Sequence, residues 1–398
     1  MTSSASIDAP DSASARDTRA AQRGRTLDWL IAFLWLGAVV AATLQQGLTH
    51  QHNNFLIFRA AAKHLLAGAD LYAAYPAEHH DFYKYSPTFA LLFLPFAYLP
   101  FSIAMLAWNA LNAGALFIAI GMVLPRRAAT AARAIVFLDM LGSLQNVQSN
   151  ALVAALIILT FAAYERRHTA LGSVAAVGGM FIKVFPLAGV SFALFHPRKV
   201  RVAAAVTLGI VAFALLPLLV TPPATLVAQY ASWRAIEAKD ALARGFTVMQ
   251  MTQNLLHADW PNWPQQLLGV VLLVAPVLAQ PSRWREWEFR RLYLASVLVF
   301  CVIFNHQAES PTFVIAVAGV AIWFASLEQR TRWHWTMFAF FVVCTVLASS
   351  DAMPGAIQRD FFDRYRFKVV PLIVIWAAIQ VALWRGKAPR ELPTAVGW

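Results

Sequence analysis

Charge and sulfur are what this sequence has least of. Of its 398 residues, 20 are Asp or Glu, 32 are Lys or Arg, and two are cysteine. With 13% charged residues against 59% apolar ones, and a mean hydropathy of +0.57, a soluble globular domain is excluded. Cys301 and Cys344 both sit in apolar runs, so they read as buried thiols. They provide neither a disulfide framework nor zinc-ligand spacing. No Gly-x-Gly-x-x-Gly, Walker lysine or Asp-x-Asp motif occurs, which removes the usual means of holding a nucleotide or a metal-bound nucleotide sugar. The first 25 residues lack the apolar core of a cleavable signal peptide; residues 1–26 read as a disordered cytoplasmic tail.

What the chain has instead is apolar length. A bilayer core takes about 20 apolar residues per helix. Suitable runs are Trp29–Gln46, Ile103–Pro125, Arg201–Val220, Leu267–Gln280, Tyr293–Asn305, Phe313–Leu327, Met337–Ser349 and Val369–Trp384. Shorter pieces lie at Thr88–Leu99, Ala134–Leu144, Ala151–Tyr164 and Ala170–Phe195, giving about 12 spans in one all-α, polytopic bundle over residues 27–386. Residues 387–398 form a second cytoplasmic tail.

The net charge of +12 follows the topology. Basic clusters at Arg19–Arg25, Arg198–Arg201, Arg283–Arg291, Arg330–Arg332 and Arg385–Arg390 mark cytoplasmic loops and put both termini inside. A nucleic-acid partner is not needed to explain them. Between Pro87 and Phe195 the count is ambiguous. Arg126, Arg127 and Arg133 fall outside if Thr88–Leu99 crosses, and inside if that segment, broken by Pro95, only dips into the membrane.

Four polar stretches stand out against this background. The loop Asn53–Pro100 opens with FLIFRAAAKHLLAG, an amphipathic helix capped by Asn53 or Asn54, ended by Gly68, and lying apolar face down on the outer leaflet. QNVQSN (Gln145–Asn150) interrupts two apolar segments. Lys183 lies inside the apolar run MFIKVFP, where a lysine must snorkel, pair or face a cavity, and Pro186 suits a broken helix. FNHQAESPTF (Phe304–Phe313) gathers Asn305, His306, Gln307 and Glu309 between two spans. Asp139, in an apolar helix, reads as a buried acid that is either protonated or paired with a cation such as Lys183 or Arg133. His79, His80 and Asp81 are adjacent and so cannot readily converge on one metal ion.

The order of these stretches resembles glycosyltransferase family 87, whose members are GT-C-type membrane mannosyltransferases using polyprenyl-phosphate sugars. The family's Asp-Phe/Leu-x-Val-Tyr is matched by Asn54-Phe55-Leu56-Ile57-Phe58. Gly-x-x-Leu/Pro-Tyr is matched at Gly68-Ala69-Asp70-Leu71-Tyr72, and Tyr-Pro-Pro at Tyr85-Ser86-Pro87. Gly-Gln-x-Asn corresponds to Gln148-Ser149-Asn150, and Lys-x-x-Pro to Lys183–Pro186. The likeness covers roughly the first half of the chain. One departure bears on mechanism: Asn54 stands where the family carries its acid, and a carboxamide cannot accept the acceptor's proton.

The resemblance implies an inverting, metal-independent hexosyltransferase of the bacterial inner membrane that needs no cofactor. It would move a hexose, mannose by family precedent, from a polyprenyl-phosphate carrier to a lipid or glycan acceptor at the external face. Glu309 or Asp81 is the expected base, with His306 beside Glu309; Asp70, Glu78, Asp139 and Asp351 are the other acids. Lys183, Lys84 and Arg59 are expected at the donor phosphate, and Asn53, Asn54, Tyr85, Gln148, Asn150 and Asn305 at sugar hydroxyls. The alternative is a transporter or flippase of lipid-linked sugars, for which an inverted repeat would speak, and none is visible.

Overall fold

The computed structural model describes residues 11–240, 244–257, 260–349 and 353–385. Among them the chain is helical throughout, without a strand. The helices are α1 (Asp11–Thr49), α2 (Asn53–Ala67), α3 (Pro87–Leu92), α4 (Leu94–Tyr98), α5 (Phe101–Val123), α6 (Arg126–Gln145), α7 (Asn150–Glu165) and α8 (Thr169–Ile182). After a 3₁₀ helix, Phe185–Phe195, come α9 (Lys199–Leu215), α10 (Pro223–Asp240), α11 (Val248–Leu256), α12 (Asn262–Ala279), α13 (Trp287–Ile303) and α14 (Phe313–Ser326). α15 (Arg332–Phe341), the single turn α16 (Gly355–Ile357) and α17 (Val370–Arg385) complete the bundle.

The bundle is built around α14. Every residue from Phe313 to Ser326 is buried, as befits a helix that is apolar on all sides. α13, α6 and α7 surround it. Five helical segments of the described chain are long and apolar enough to cross a bilayer: Gly24–Thr49, Phe101–Val123, Lys199–Leu219, Asn262–Ala279 and Phe367–Arg385. Asn150–Glu165, Thr169–Ile182, Phe185–Phe195 and Ser310–Ser326 are shorter apolar helices. The outer faces of the long helices carry large apolar side chains such as Trp29, Phe33, Leu208 and Leu268. This is an integral membrane protein.

The ambiguous region resolves locally. Thr88–Leu99 is two short helices, α3 and α4, and does not traverse the bundle. Arg59 on α2 donates to the carbonyls of Ala97 at 2.9 Å and Leu99 at 3.2 Å, so the segment returns to the end it left. Arg126 then lies beside Asp28 near the start of the first apolar stretch, and Thr130 bonds the same carboxylate.

Three expectations need correction. α1 begins at Asp11, so residues 11–26 are helical and not an irregular tail; residues 1–10 and 387–398 lie outside the described residues. No asparagine side chain caps α2. His52 occupies that position with its ring on Gln46 O at 2.9 Å, while Gly68 ends the helix at φ 69°, a conformation open to a residue without a Cβ. The apolar face of α2 does not lie on lipid either. Phe55, Phe58 and Leu65 are buried, and Phe55 and Phe58 pack edge-on against Phe93, Phe101, Phe89 and Trp108 of α3–α5.

Asp139 is not paired with either expected cation. The opposite charge acting on it is Lys368, just before α17. Arg133 spends its guanidinium on Phe117, hydrogen-bonding its carbonyl and lying 3.7 Å from its ring centre. Asp139 Oδ2 and Lys368 Nζ are both buried without a hydrogen-bond partner, and Nζ sits 4.2 Å from the Phe313 ring centre. Removing the cation leaves the buried acid with no opposing charge, which destabilises the folded state. Lys368→Met should therefore lower thermal stability in detergent sharply, and Asp139→Asn added to it should restore much of the loss. Additive losses in the double variant would show that the two charges do not compensate each other.

Candidate active site

One cavity, of about 580 Å³, gathers residues from α2, the loop to α3, the α6–α7 tip, α8, α10, α12, α13 and the Phe304–Thr312 turn. Asn54, Asp81, Lys84, Tyr85, Gln148, Lys183, Asn305, His306 and Glu309 all line it.

Its polar side is a hydrogen-bonded line. α8 ends at Ile182, and Lys183 follows in an extended conformation, φ −146° and ψ 144°. The helical bond pattern thus stops where the lysine turns inward, and Pro186 opens the 3₁₀ stretch that returns. Lys183 Nζ donates to Asn150 Oδ1 at 2.7 Å, Asn150 Nδ2 to Gln148 Oε1 at 2.5 Å, and Gln148 Nε2 to Glu309 Oε2 at 3.1 Å. Asn150 is wholly buried and carries the link, while Glu309 is exposed into the cavity. Val147 beside Gln148 takes φ 49°, a left-handed conformation that costs a β-branched residue on the order of 1–3 kcal/mol. It lies in the turn that presents Gln148.

The Glu309 loop is pinned from outside. Gly245 N donates to His306 O and Phe246 N to Ala308 O, both at 2.8 Å. A Cβ on Gly245 would stand 2.2 Å from Ala308 O, so only glycine permits this approach. Asn305 Oδ1 accepts from Gln307 N at 3.1 Å, tightening the turn. The His306 ring lies 3.5 Å from Gln266 Nε2.

Opposite the line sits the Tyr85 ring, whose centre is 5.8 Å from Lys183 Nζ. Burial pushes the Tyr85 phenol well above its usual range, and the charge of Glu309 pushes it further, so it stays protonated and can donate. Asp81 and Lys84, three residues apart on the loop to α3, form an exposed pair at 3.7 Å on the cavity wall. The remaining wall is apolar: Ile182, Phe185, Leu187, Phe300 and Phe304, with Val184 and Val270 continuing onto the outer surface at 56% and 44% exposure.

The sequence model of glycosyltransferase family 87 matches residues 82–305, more than half the chain and most of this cavity's wall. The chain belongs to glycosyltransferase family 87. No curated protein matches it. As a family 87 membrane glycosyltransferase it takes a sugar donor and an acceptor, and the cavity is where its polar groups converge.

Three of the expected residues stand elsewhere in this family 87 protein. Arg59 is used up on the carbonyls of α4 and the rings of Phe55 and Phe101. It is not at the cavity. Asn53 accepts from His80 N at 2.9 Å and holds the loop. Asn150 lies behind the wall, touching the cavity only through Lys183 and Gln148. Asn54 does line the cavity, with its amide donating to Asn146 O at 2.8 Å. Among the alternative acids, Asp70 binds Tyr72 N at 3.0 Å, Glu78 pairs with His64 at 3.1 Å, and Asp351 lies outside the described residues. Sequence reasoning missed Trp233 and Glu237, which line the cavity from α10 with Trp233 Nε1 on Glu237 at 3.2 Å. Their spacing of four was the available signal, in the polar stretch between the apolar runs Arg201–Val220 and Leu267–Gln280.

Proposed function

We propose that this protein, through a GT-C-type bundle, transfers a hexose, mannose by its family resemblance, from a polyprenyl-phosphate carrier to an acceptor hydroxyl at the external face of a bacterial inner membrane. The observation that carries this reading is the line from Lys183 to Glu309, which sets a cation and a carboxylate on one cavity whose other wall is apolar and reaches the lipid-facing surface. An apolar wall open to lipid suits a polyprenyl chain. A lysine at its inner end suits the phosphate of that carrier, as a point charge.

The chemistry is a single displacement. Glu309 takes the proton of the acceptor hydroxyl, its oxygen attacks the anomeric carbon, and the bond from that carbon to the phosphate oxygen breaks with inversion. The phosphate leaves with the electron pair, and Lys183 opposes the charge that grows there. Gln148, fixed at both ends, keeps Glu309 oriented. Asn54, Tyr85 and Asn305 are placed to hydrogen-bond sugar hydroxyls.

Membranes carrying the protein should extend the acceptor glycan when given polyprenyl-phosphate mannose and fail when given only a nucleotide-linked mannose, with carrier-charging enzymes absent. Equal transfer from the nucleotide sugar would remove the lipid-donor reading.

A further inference from the structure

A second concavity, of about 460 Å³, is lined by Gln250, Gln253, Asn254, His257, Arg364 and Tyr365. It differs in chemistry from the donor cavity. Three carboxamides stand at i, i+3 and i+4 on one face of α11, so they form a continuous strip. Gln250 Nε2 donates to Asn254 Oδ1 at 2.8 Å and to Gln253 Oε1 at 3.3 Å, which ties the strip together. Met249, next to Gln253 around the helix, is buried and seats one flank of the strip. The far wall is Tyr365, 53% exposed, with the Arg364 guanidinium 5.8 Å from its ring centre.

We infer that this groove is a binding site for a hexose oligosaccharide, the non-reacting units of the acceptor glycan. The inference rests on the transferase reading. Carboxamides offer donor and acceptor together, which matches hydroxyl groups that are also both. An exposed tyrosine ring offers an apolar face to the C–H face of a pyranose. No carboxylate occurs among the described lining residues, so a neutral ligand is not repelled and a cation is not favoured.

The groove is tied to the reacting centre by backbone. Phe246, which bonds Ala308 O one residue before Glu309, stands four residues before Gln250, just ahead of α11. Arg366, following Tyr365, lays its guanidinium 4.8 Å from the Phe246 ring centre. A glycan whose terminal hydroxyl reaches Glu309 therefore has its next units over α11.

The test uses the full-length protein in nanodiscs and a series of soluble α-linked manno-oligosaccharides of increasing length, read by saturation-transfer NMR and titration without donor. Binding should strengthen from the mono- to the trisaccharide. Gln253→Ala with Asn254→Ala should weaken it at least tenfold, and so should Arg364→Gln on the opposite wall. Thermal unfolding of the variants should match that of the parent protein. Lys183→Met should bind the oligosaccharides normally, so a failure of the donor reading leaves this result untouched. In the transfer assay the same groove variants should raise the acceptor KM and leave kcat within about twofold. Absence of oligosaccharide binding by the parent protein, unchanged affinity in both groove variants, or displacement by inorganic phosphate at equal concentration would overturn the assignment.

Discussion

Lys183→Met should slow hexose transfer by about a hundred- to a thousandfold, the size of effect seen when a preorganised donor to developing charge is removed. Methionine keeps the length and apolar character of the lysine stem, so the extended turn after α8 and its packing should survive. What is lost is the ammonium group that donates to Asn150 Oδ1 at 2.7 Å and sits at the inner end of the apolar wall. A departing phosphate in a site of low effective dielectric then has no charge partner. The loss should fall mainly on kcat, because the charge grows as the glycosidic bond breaks. Turnover within about threefold of the parent protein, with expression matched, would take Lys183 out of the donor site.

Glu309→Gln should be more severe, on the order of a hundred- to ten-thousandfold, the usual contribution of a positioned general base. The substitution is a clean test because Gln148 Nε2, 3.1 Å from Glu309 Oε2, can donate equally well to a carboxamide oxygen. Geometry stays and basicity goes. Asn54→Ala removes one hydrogen bond to Asn146 O and should cost about 1 kcal/mol, a few-fold in rate. Asp81→Asn should fall between, since that carboxylate is exposed and already engaged with Lys84. Near-normal turnover by Glu309→Gln would transfer the role to Asp81 or to Glu237, the other carboxylates on the cavity. Parallel assays of Asp81→Asn and Glu237→Gln would say which.

Much of this was legible in order and composition. Apolar runs foretold the helices of a membrane bundle, and Gly68 ended α2 where expected. Lys183 with Pro186 marked the break after α8, because a charge and a missing N–H are both local properties. The awkwardly polar residues Asn54, Lys84, Gln148, Lys183 and Glu309 do share one cavity. Polar groups in apolar surroundings are driven together, since apart they would be buried without partners.

What the sequence determined by itself is therefore the membrane class, the apolar helices and the set of residues too polar for their neighbourhoods. Tertiary structure alone decided how those residues were shared out. Arg59, as basic as Lys183, went to the carbonyls of Ala97 and Leu99 because α4 ends within its reach. Asp139 came under the charge of Lys368 in place of Lys183, more than two hundred residues away in the chain. Glu237 joined the cavity because α10 lies over it, and Thr88–Leu99 turned back because Pro95 and the α2 contact stopped it crossing. Hydropathy and periodicity are local sums, whereas a partner for a buried charge is whichever group the packed chain brings within a few ångströms. Nothing in the spacing of Gln148 and Glu309, 161 residues apart, could announce a bond of 3.1 Å.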